Sequence, residues 1–287
     1  MQELIDKTKA TISCWVDSWG VDGVYVAYSG GKDSEVLAHI VRSIYPEIPL
    51  VFSNTGLEYP EIVKHVRYHE NVTEIRPELP FHKVVEKYGW PVVSKTASMA
   101  VSRYRNTKRE DQRQYRLHGK VIDNKKYTSG TIPKKWQFLC DAPFKISEQC
   151  CNHLKKKPFL KYEKETGRKP MIGIMKSDSE LRRRDISRRG CNVYDAKHPQ
   201  SRPLAQWTEE DVYIYIKKND VKICDIYRKG YDRTGCMFCM FGLNQEVKHT
   251  GSNRFQKMQK THPKHYYYCI NKLGAGEVLD FLEVDYK

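Results

Sequence analysis

The sequence predicts an α/β fold in which helices cover both faces of a parallel, Rossmann-like sheet. Three short apolar segments have the length of buried strands, at residues 23–28, 50–52 and 72–75. The first two are each followed by a stretch with helical apolar periodicity. Strands that alternate with helices are typical of a parallel sheet, and a strand over residues 171–175 extends the pattern.

The predicted helices have recognisable starts. Residues 36–45 carry periodic apolar positions, and Pro60 occupies the first turn of a helix that runs to Tyr68, where its missing N–H is not needed. A further helix begins at Thr208, a favoured N-cap residue that precedes three acidic residues. The last helix is predicted near residues 277–282.

Charge and cysteine content restrict the class of partner and the compartment. The net charge of +15 indicates polyanionic partners, such as nucleic acid or phosphorylated small molecules. No run approaches the roughly 18 apolar residues of a membrane helix, and the charged start lacks the features of a signal peptide. We therefore expect a cytoplasmic protein with no membrane partner. In that reducing compartment, nine cysteines favour metal or redox chemistry over disulfides.

A glycine loop joins the first strand to the first helix, with the sequence Ser29-Gly30-Gly31-Lys32-Asp33-Ser34. Glycines let backbone N–H groups approach phosphate oxygens, and the following helix adds its positive N-terminal end. We expect Lys32 to neutralise phosphate charge, Asp33 to orient Lys32 or hold Mg²⁺, and both serines to donate hydrogen bonds. The spacing differs from that of the GxxxxGK[ST] loop.

This loop resembles the PP-loop of the N-type ATP pyrophosphatases, which split ATP into AMP and pyrophosphate. The next loop, residues 54–61, resembles the DTG…FPET segment of the adenosine phosphosulfate (APS) and 3′-phosphoadenosine phosphosulfate (PAPS) reductase family, with Asn54 at the usual Asp position. The resemblance implies an adenine nucleotide alpha-hydrolase-like fold and a nucleotide contact at Thr55 and Gly56.

Four cysteines form two close pairs that are far apart in the chain: Cys150 with Cys151, and Cys236 with Cys239. Such a pattern suits a four-sulfur site for zinc or for an iron–sulfur cluster, and the spacing alone does not choose between them. Two further cysteines stay open as substitute ligands, Cys140 and Cys191. Cys14 and Cys224 lie among apolar residues and are expected in the core.

The segment from Cys150 to Pro158 resembles the CC..RK..P segment of the [4Fe–4S] sulfonucleotide reductases. This resemblance implies a [4Fe–4S] cluster on the four paired cysteines. Lys155 matches the family's Lys, which implies a position near cluster and substrate, whereas Leu154 replaces the neighbouring Arg.

A later loop, residues 173–182, resembles the family's G.R..ES..R segment. The resemblance implies that Ser179 and Arg182 bind phosphate or sulfate. Met175 stands where Arg is common, and Asp178 where Glu is common. The alternative for the arginine run that begins at Arg182 is a solvated basic face.

Residues 101–136 are interpreted as a basic insertion. They contain eleven Lys or Arg residues against three Asp or Glu residues, with three interleaved tyrosines. Aromatic rings among cations suit stacking on bases, and a solvated surface loop is the alternative. The predicted organisation is a nucleotide-binding α/β domain over residues 1–240 that contains this insertion, and a helical extension over residues 241–287. We also expect a cysteine-rich C-terminal region, since seven of the nine cysteines follow residue 149.

Two sequence differences from the reductases favour ATP over a sulfonucleotide as the bound nucleotide. Lys32 and Asp33 are present, as ATP cleavage requires, and the reductases' C-terminal ECGLH motif is missing. Cys269 lies at a comparable place without its usual neighbours, so it is either the nucleophile or a structural cysteine.

These observations lead to one main hypothesis and two alternatives. The main hypothesis is an ATP pyrophosphatase with a [4Fe–4S] cluster that activates nucleic acid for sulfur transfer from a sulfur donor. The first alternative is an APS/PAPS reductase that releases sulfite, with Cys269 as nucleophile and a thioredoxin-like partner. The second is a non-catalytic nucleic-acid-binding module that retains a nucleotide pocket.

Overall fold

The computed structural model describes residues 1–287 and divides into two compact units, each assembled from separate stretches of chain. The first unit contains residues 1–54, 58–77 and 157–234. The second contains residues 55–57, 78–156 and 235–287. The predicted basic insertion and C-terminal extension therefore fall mainly in the same unit.

Ten short strands form three sheets. In chain order they are β1 Val24–Tyr28, β2 Leu50–Ser53, β3 Val72–Ile75, β4 Val92–Val93, β5 Lys120–Ile122, β6 Lys125–Tyr127, β7 Lys169–Ile172, β8 Asn192–Val193, β9 Gln200–Ser201 and β10 Met240–Phe241.

The first unit is built on a six-stranded sheet in the order β3-β2-β1-β7-β9-β8. All neighbours are parallel except β8 and β9. Strands β1 and β2 are almost entirely buried, which explains why they are continuous apolar runs. The predicted α/β fold with a mostly parallel sheet is confirmed.

The chain order reverses at β1, which lies between β2 on one side and β7 on the other. In open parallel sheets, ligands bind beyond the carboxyl ends of the strands at such a switch point. The glycine loop follows Tyr28, the last residue of β1, so the topology places it where the fold class binds ligands.

Thirteen α-helices surround the sheets. They are α1 Gln2–Trp19, α2 Lys32–Arg42, α3 Pro60–Tyr68, α4 Phe81–Tyr88, α5 Lys95–Asn106, α6 Glu110–His118, α7 Lys157–Thr166, α8 Glu180–Arg189, α9 Glu209–Lys218, α10 Leu243–Thr250, α11 Arg254–Thr261, α12 Pro263–Tyr267 and α13 Ala275–Phe281. None of these helices has the length and apolar character needed to span a membrane.

Helix α9 begins as predicted, with Thr208 as its N-cap. The Thr208 hydroxyl accepts a hydrogen bond from the Asp211 amide at 3.2 Å, and the Asp211 carboxylate accepts one from the Thr208 amide at 2.9 Å. This reciprocal capping box satisfies two amides that the helix leaves unpaired. It also fixes Glu209, the first residue of α9, which contributes to the site described below.

The basic segment over residues 101–136 contains regular structure. It includes the end of α5, all of α6 and the antiparallel hairpin of β5 and β6. Helix α6 buries none of its residues, and every residue of the hairpin strands is exposed. The segment thus contributes little to the core, which explains why it lacks apolar periodicity.

Candidate functional site

Close packing forces glycine into the loop after β1. Gly30 has a φ of +72°, and a Cβ there would lie 2.8 Å from Ile62 and 2.9 Å from Val66 on α3. Gly31 is the N-cap of α2, and a Cβ there would lie 2.3 Å from the Thr234 hydroxyl. The loop therefore lies directly against α3 and the chain at Thr234 with no room for side chains.

The two serines close the loop on itself. The Ser34 hydroxyl accepts a hydrogen bond from the Ser29 amide at 3.2 Å and donates to the Gly31 carbonyl at 2.9 Å. The two hydroxyl oxygens lie 3.0 Å apart. These bonds hold the carboxyl end of β1 to the first turn of α2, a pre-formed turn of the kind that binds phosphate.

Lys32 is buried, with 4% of its surface exposed. Its ammonium lies 2.9 Å from a Glu209 carboxylate oxygen and donates to the Asp232 carbonyl at 3.2 Å. Burial by itself lowers the pKa of Lys32, but the charge of Asp33 and the bond to Glu209 hold it above its ordinary value. Lys32 is therefore a fixed positive charge at the start of α2. The sequence motifs did not predict Glu209 and Asp232, because only tertiary packing brings these distant residues to Lys32.

Asp33 carries a carboxylate oxygen, Oδ1, that is buried and has no hydrogen-bond partner. This oxygen lies 3.9 Å from the Lys32 ammonium, too far for a hydrogen bond. Burial raises the pKa of Asp33, with the charge of Lys32 in opposition. A buried acceptor without a donor is costly, and a hard cation with oxygen ligands satisfies it. The residues present therefore fit Mg²⁺ at Asp33.

The pair expected to bind phosphate or sulfate also has local structural roles. The Ser179 hydroxyl caps α8 by accepting from the Arg182 amide at 3.3 Å. The Arg182 guanidinium forms an ion pair with Asp178. Ligand binding by either residue stays a prediction, and an anion would have to compete with Asp178 for Arg182.

Thr55 and Gly56 belong to the second unit. The Thr55 hydroxyl accepts from the Leu57 amide at 3.2 Å, and the Leu57 carbonyl accepts from the Met237 amide at 2.8 Å. Gly56 has a φ of +76° and open space at its Cβ position. This turn is anchored beside the Cys236–Cys239 segment, and its contact with nucleotide stays a prediction.

All four paired cysteines lie in the second unit and act on one another. The Cys150 and Cys151 side chains share a hydrogen bond, and charge on Cys236 and Cys239 affects Cys150. That bond from Cys150, with the charges of Lys155 and Lys95, lowers the pKa of Cys151 below the ordinary value for a thiol. Thiolates are the form that binds metal.

Cys236 and Cys239 are joined by a turn in which the Cys239 amide donates to the Cys236 carbonyl at 3.2 Å. Burial raises the pKa of Cys239 to about 11. Four free cysteines that interact electrostatically with one another fit a four-sulfur metal centre. Lys155, predicted near the centre, lies in the π-helical turn Asn152–Lys156 that directly follows Cys151.

The remaining cysteines are placed differently. Cys191 belongs to the first unit. Burial raises the pKa of Cys140 to about 11, and the charges that act on it come from Asp141 and Arg105. Cys224 is buried as predicted, whereas Cys14 is exposed on α1, so its assignment to the core was wrong.

Cys269 is completely buried in a π-helical turn near the end of the chain. Burial raises its pKa well above the ordinary value for a thiol. A nucleophile requires an accessible thiolate. In this placement Cys269 has the environment of a structural cysteine, although its predicted catalytic role stays a prediction.

A second cluster of metal-ligand residues lies beside the phosphate loop and was missed by motif reading. Glu35 on α2 is hydrogen-bonded to His65 on α3, to His69, which directly follows α3 as its C-cap, and to Tyr28 at the end of β1. Only the i, i+4 spacing of the two histidines, the second directly after a predicted helix, signals it in the sequence.

The switch-point loop, its mostly parallel sheet and the helices around it define a Rossmann-like α/β protein. The family model described as the phosphoadenosine phosphosulfate reductase domain matches residues 23–241. The chain therefore belongs to the phosphoadenosine phosphosulfate reductase domain family, as the resemblance implied.

Curated relatives are similar over most of this chain. An uncharacterized protein of Methanocaldococcus jannaschii is 27% identical over 222 residues, which is 75% of this chain and 36% of that protein. An uncharacterized protein of Escherichia phage 186 is 25% identical over 251 residues, 77% of this chain and 68% of that protein. The chain spans about a third of the length of the archaeal relative. The adenosine 5′-phosphosulfate reductase of Mycobacterium tuberculosis (strain ATCC 25177 / H37Ra) is 41% identical over 59 residues, 21% of this chain and 23% of the reductase.

Solved structures are similar at low identity. A phosphoadenylyl-sulfate reductase from Candida auris has a TM-score of 0.44 at 16% identity and covers 82% of this chain and 95% of its own. The U34-tRNA thiolase NcsA from Methanococcus maripaludis, solved with its [4Fe–4S] cluster, has a TM-score of 0.40 at 15% identity and covers 95% of this chain and 78% of its own.

Proposed function

We propose that this protein is an ATP pyrophosphatase that releases AMP and pyrophosphate and activates an oxygen of nucleic acid for replacement by sulfur. The observation that carries the proposal is the Lys32–Asp33 pair at the switch point, with a buried ammonium and a buried carboxylate oxygen that lacks a hydrogen-bond partner. The ammonium can bind the β- and γ-phosphates of ATP, and the carboxylate can hold the Mg²⁺ that accompanies them. A sulfonucleotide has no β,γ-phosphates for them to hold.

In the proposed first step, an oxygen of the target attacks the α-phosphorus of ATP. The bond to the bridging oxygen of the β-phosphate breaks, and pyrophosphate leaves. Lys32 and the first amides of α2 stabilise the negative charge on the leaving group. For this, Lys32 exchanges the half-exposed carboxylate of Glu209 for phosphate. Mg²⁺ at Asp33 supplies Lewis-acid stabilisation when it is bound.

In the proposed second step, a sulfide-type nucleophile from a sulfur donor attacks the activated carbon of the target. AMP leaves with the original oxygen, and sulfur takes its place. Cys150, Cys151, Cys236 and Cys239 would hold a [4Fe–4S] cluster, which would supply a site for binding the sulfur or would stabilise the second unit.

The hairpin of β5 and β6 supports nucleic acid as the partner. Lys120, Lys125 and Lys126 lie on it beside the exposed side chains of Val121 and Tyr127. Exposed cations suit a phosphate backbone, and an exposed tyrosine suits a base. We expect that replacing the three lysines by glutamate weakens binding of single-stranded RNA. The slope of log K against log salt concentration should become shallower by about one unit for each phosphate contact that is lost. Unchanged binding would exclude the hairpin as the contact surface.

The test of catalysis uses the cluster-loaded chain, purified without oxygen, with Mg²⁺-ATP and a panel of RNA and DNA oligonucleotides. AMP and pyrophosphate are measured together. We expect both products from the wild-type protein, a loss of about 100-fold or more in Lys32→Met, and no change in Lys7→Met, which removes an exposed lysine paired with Glu3. Formation of ADP, or full activity of Lys32→Met, contradicts the proposal. RNA binding with no turnover of ATP favours the non-catalytic module.

A second candidate is a sulfonucleotide reductase, favoured by the 41% identical stretch shared with the mycobacterial APS reductase. It requires Cys269 to attack sulfur and a thioredoxin-like protein to release sulfite. Cys269→Ser must then abolish sulfite release from APS and PAPS, while Cys14→Ser, at an exposed cysteine, leaves it unchanged. Equal sulfite release from both variants, or none from the wild-type protein, excludes this function.

A further inference from the structure

The cluster beside the phosphate loop has the composition of a metal site. Glu35 contributes a carboxylate, His65 and His69 contribute imidazole nitrogens, and the three ligand atoms lie within 4.8 Å of one another. Glu35 and His65 are buried, and His69 is half-buried. Two histidines and one glutamate form a ligand set that zinc uses in proteins.

Distances within the cluster are close to those of a tetrahedral zinc site. The Glu35 Oε2 atom lies 2.8 Å from His65 Nε2 and 3.2 Å from His69 Nε2. Zinc bonds of 2.0 to 2.1 Å place neighbouring ligand atoms of a tetrahedron about 3.3 Å apart. The Tyr28 hydroxyl also contacts Glu35, so four polar groups converge on one point.

The charge balance of the cluster favours a cation. Glu35 is buried and pairs with no lysine or arginine among residues 1–287, since its ion-pair partners are the two histidines. The nearby Arg42 guanidinium donates instead to the carbonyls of Glu70 and Asn71. The hydrogen bonds to Tyr28 and the two histidines satisfy the carboxylate oxygen, but a buried negative charge still favours a positive partner. A divalent metal supplies that charge and satisfies all three ligands.

Three separate elements meet at this point, and two of them frame the phosphate loop. Tyr28 immediately precedes Ser29, and Glu35 immediately follows Ser34. His65 lies on α3 and His69 directly follows it, and Ile62 and Val66 of the same helix press against Gly30. An ion at Glu35 therefore ties the α2 end of the loop to α3, while the Tyr28–Glu35 hydrogen bond connects the β1 end to the same carboxylate.

We propose that Glu35, His65 and His69 bind one Zn²⁺ ion that fixes the phosphate loop against α3. This site is distinct from the cysteine centre, because it lies in the first unit and uses nitrogen and oxygen ligands. Its occupancy does not depend on which nucleotide the protein uses.

The experiment measures zinc and iron per chain after expression with added Zn²⁺ and purification without chelator. We expect one zinc per wild-type chain in addition to iron. Glu35→Gln and the double variant His65→Gln/His69→Gln should lose that zinc and keep their iron. His39→Gln should keep both metals, since His39 lies on the same helix but bonds to Tyr215 outside the cluster.

A thermal measurement keeps the proposal testable if a variant folds poorly. Wild-type protein stripped of zinc should regain a higher melting temperature when Zn²⁺ is added back, because a ligand that binds only the folded state stabilises it. The two cluster variants should show no such shift. A zinc-free wild-type protein, zinc retained in both cluster variants, or zinc lost from Cys236→Ser alone would overturn the proposal.

Discussion

The Tyr227 hydroxyl accepts a hydrogen bond from the Lys32 backbone amide at 2.7 Å. This amide is the first of α2, so a side chain from a distant part of the chain occupies one donor of the phosphate-binding helix end. The same ring lies 5.6 Å from the Lys32 ammonium. Tyr227 thus satisfies the first amide of α2, and a phosphate oxygen that uses this amide has to displace the tyrosine hydroxyl.

Replacing Tyr227 by Phe should therefore tighten nucleotide binding. The ring stays, but the amide loses its partner, and a hydrogen bond of this kind contributes about 0.5 to 1.5 kcal/mol. We expect the dissociation constant for ATP to fall between about twofold and tenfold, measured by calorimetry. Tyr213→Phe is the matched control, since its ring also faces Lys32 at 5.4 Å. Weaker ATP binding by Tyr227→Phe would mean that the hydroxyl contacts the nucleotide itself.

Alanine at Gly30 should destabilise the protein more than alanine at Gly190. Both positions have a positive φ, which costs a side chain about 1 to 2 kcal/mol. At Gly190 the added Cβ meets nothing within 4 Å, whereas at Gly30 it meets Ile62 and Val66. Overpacking adds about 1 to 3 kcal/mol. Urea unfolding of both variants tests this, and equal midpoints would contradict the close packing of the loop on α3.

The Asp33→Asn variant should bind Mg²⁺ more weakly, while its affinity for the nucleotide should change less. The amide keeps the size of the side chain but removes the charge that would hold Mg²⁺. We expect the Mg²⁺ concentration for half-maximal pyrophosphate release to rise by about tenfold or more, with a smaller change for ATP. Asp22→Asn, at an acidic residue outside the loop, provides the control. An unchanged Mg²⁺ requirement would remove Asp33 from the metal site.

Serine at Cys151 should abolish the metal centre of the second unit, whereas serine at Cys140 should not. Cys151 is hydrogen-bonded to Cys150 and interacts with Lys155 and Lys95, while Cys140 interacts with Asp141 and Arg105. Iron, sulfide and visible absorbance of anaerobically purified protein measure the outcome. We expect loss of all three in Cys151→Ser. If Cys151→Ser keeps its iron and sulfide while Cys140→Ser or Cys191→Ser loses them, then Cys140 or Cys191 is the ligand in place of Cys151.

Local sequence predicted the core elements of the first unit closely. Helix α3 has the predicted bounds, Pro60–Tyr68, and strand β3 has the predicted bounds, Val72–Ile75. Proline at the first turn and a short run between polar segments are signals carried by adjacent residues. The regular structure between residues 101 and 136 was not predicted, because α6 has no buried face and pairs its exposed side chains with one another, as in the Glu110–Gln114 hydrogen bond.

The sequence by itself determined the α/β class, the family, the phosphate loop and the two cysteine pairs, because each depends on periodicity or on residues close together in the chain. Only the tertiary structure decided which groups share a site. Glu209 lies far along the chain from Lys32 and still pairs with it, and three elements bring Glu35, His65 and His69 together. The reason is physical: burial of the sheet and helices sets these long-range contacts, and no short segment encodes them.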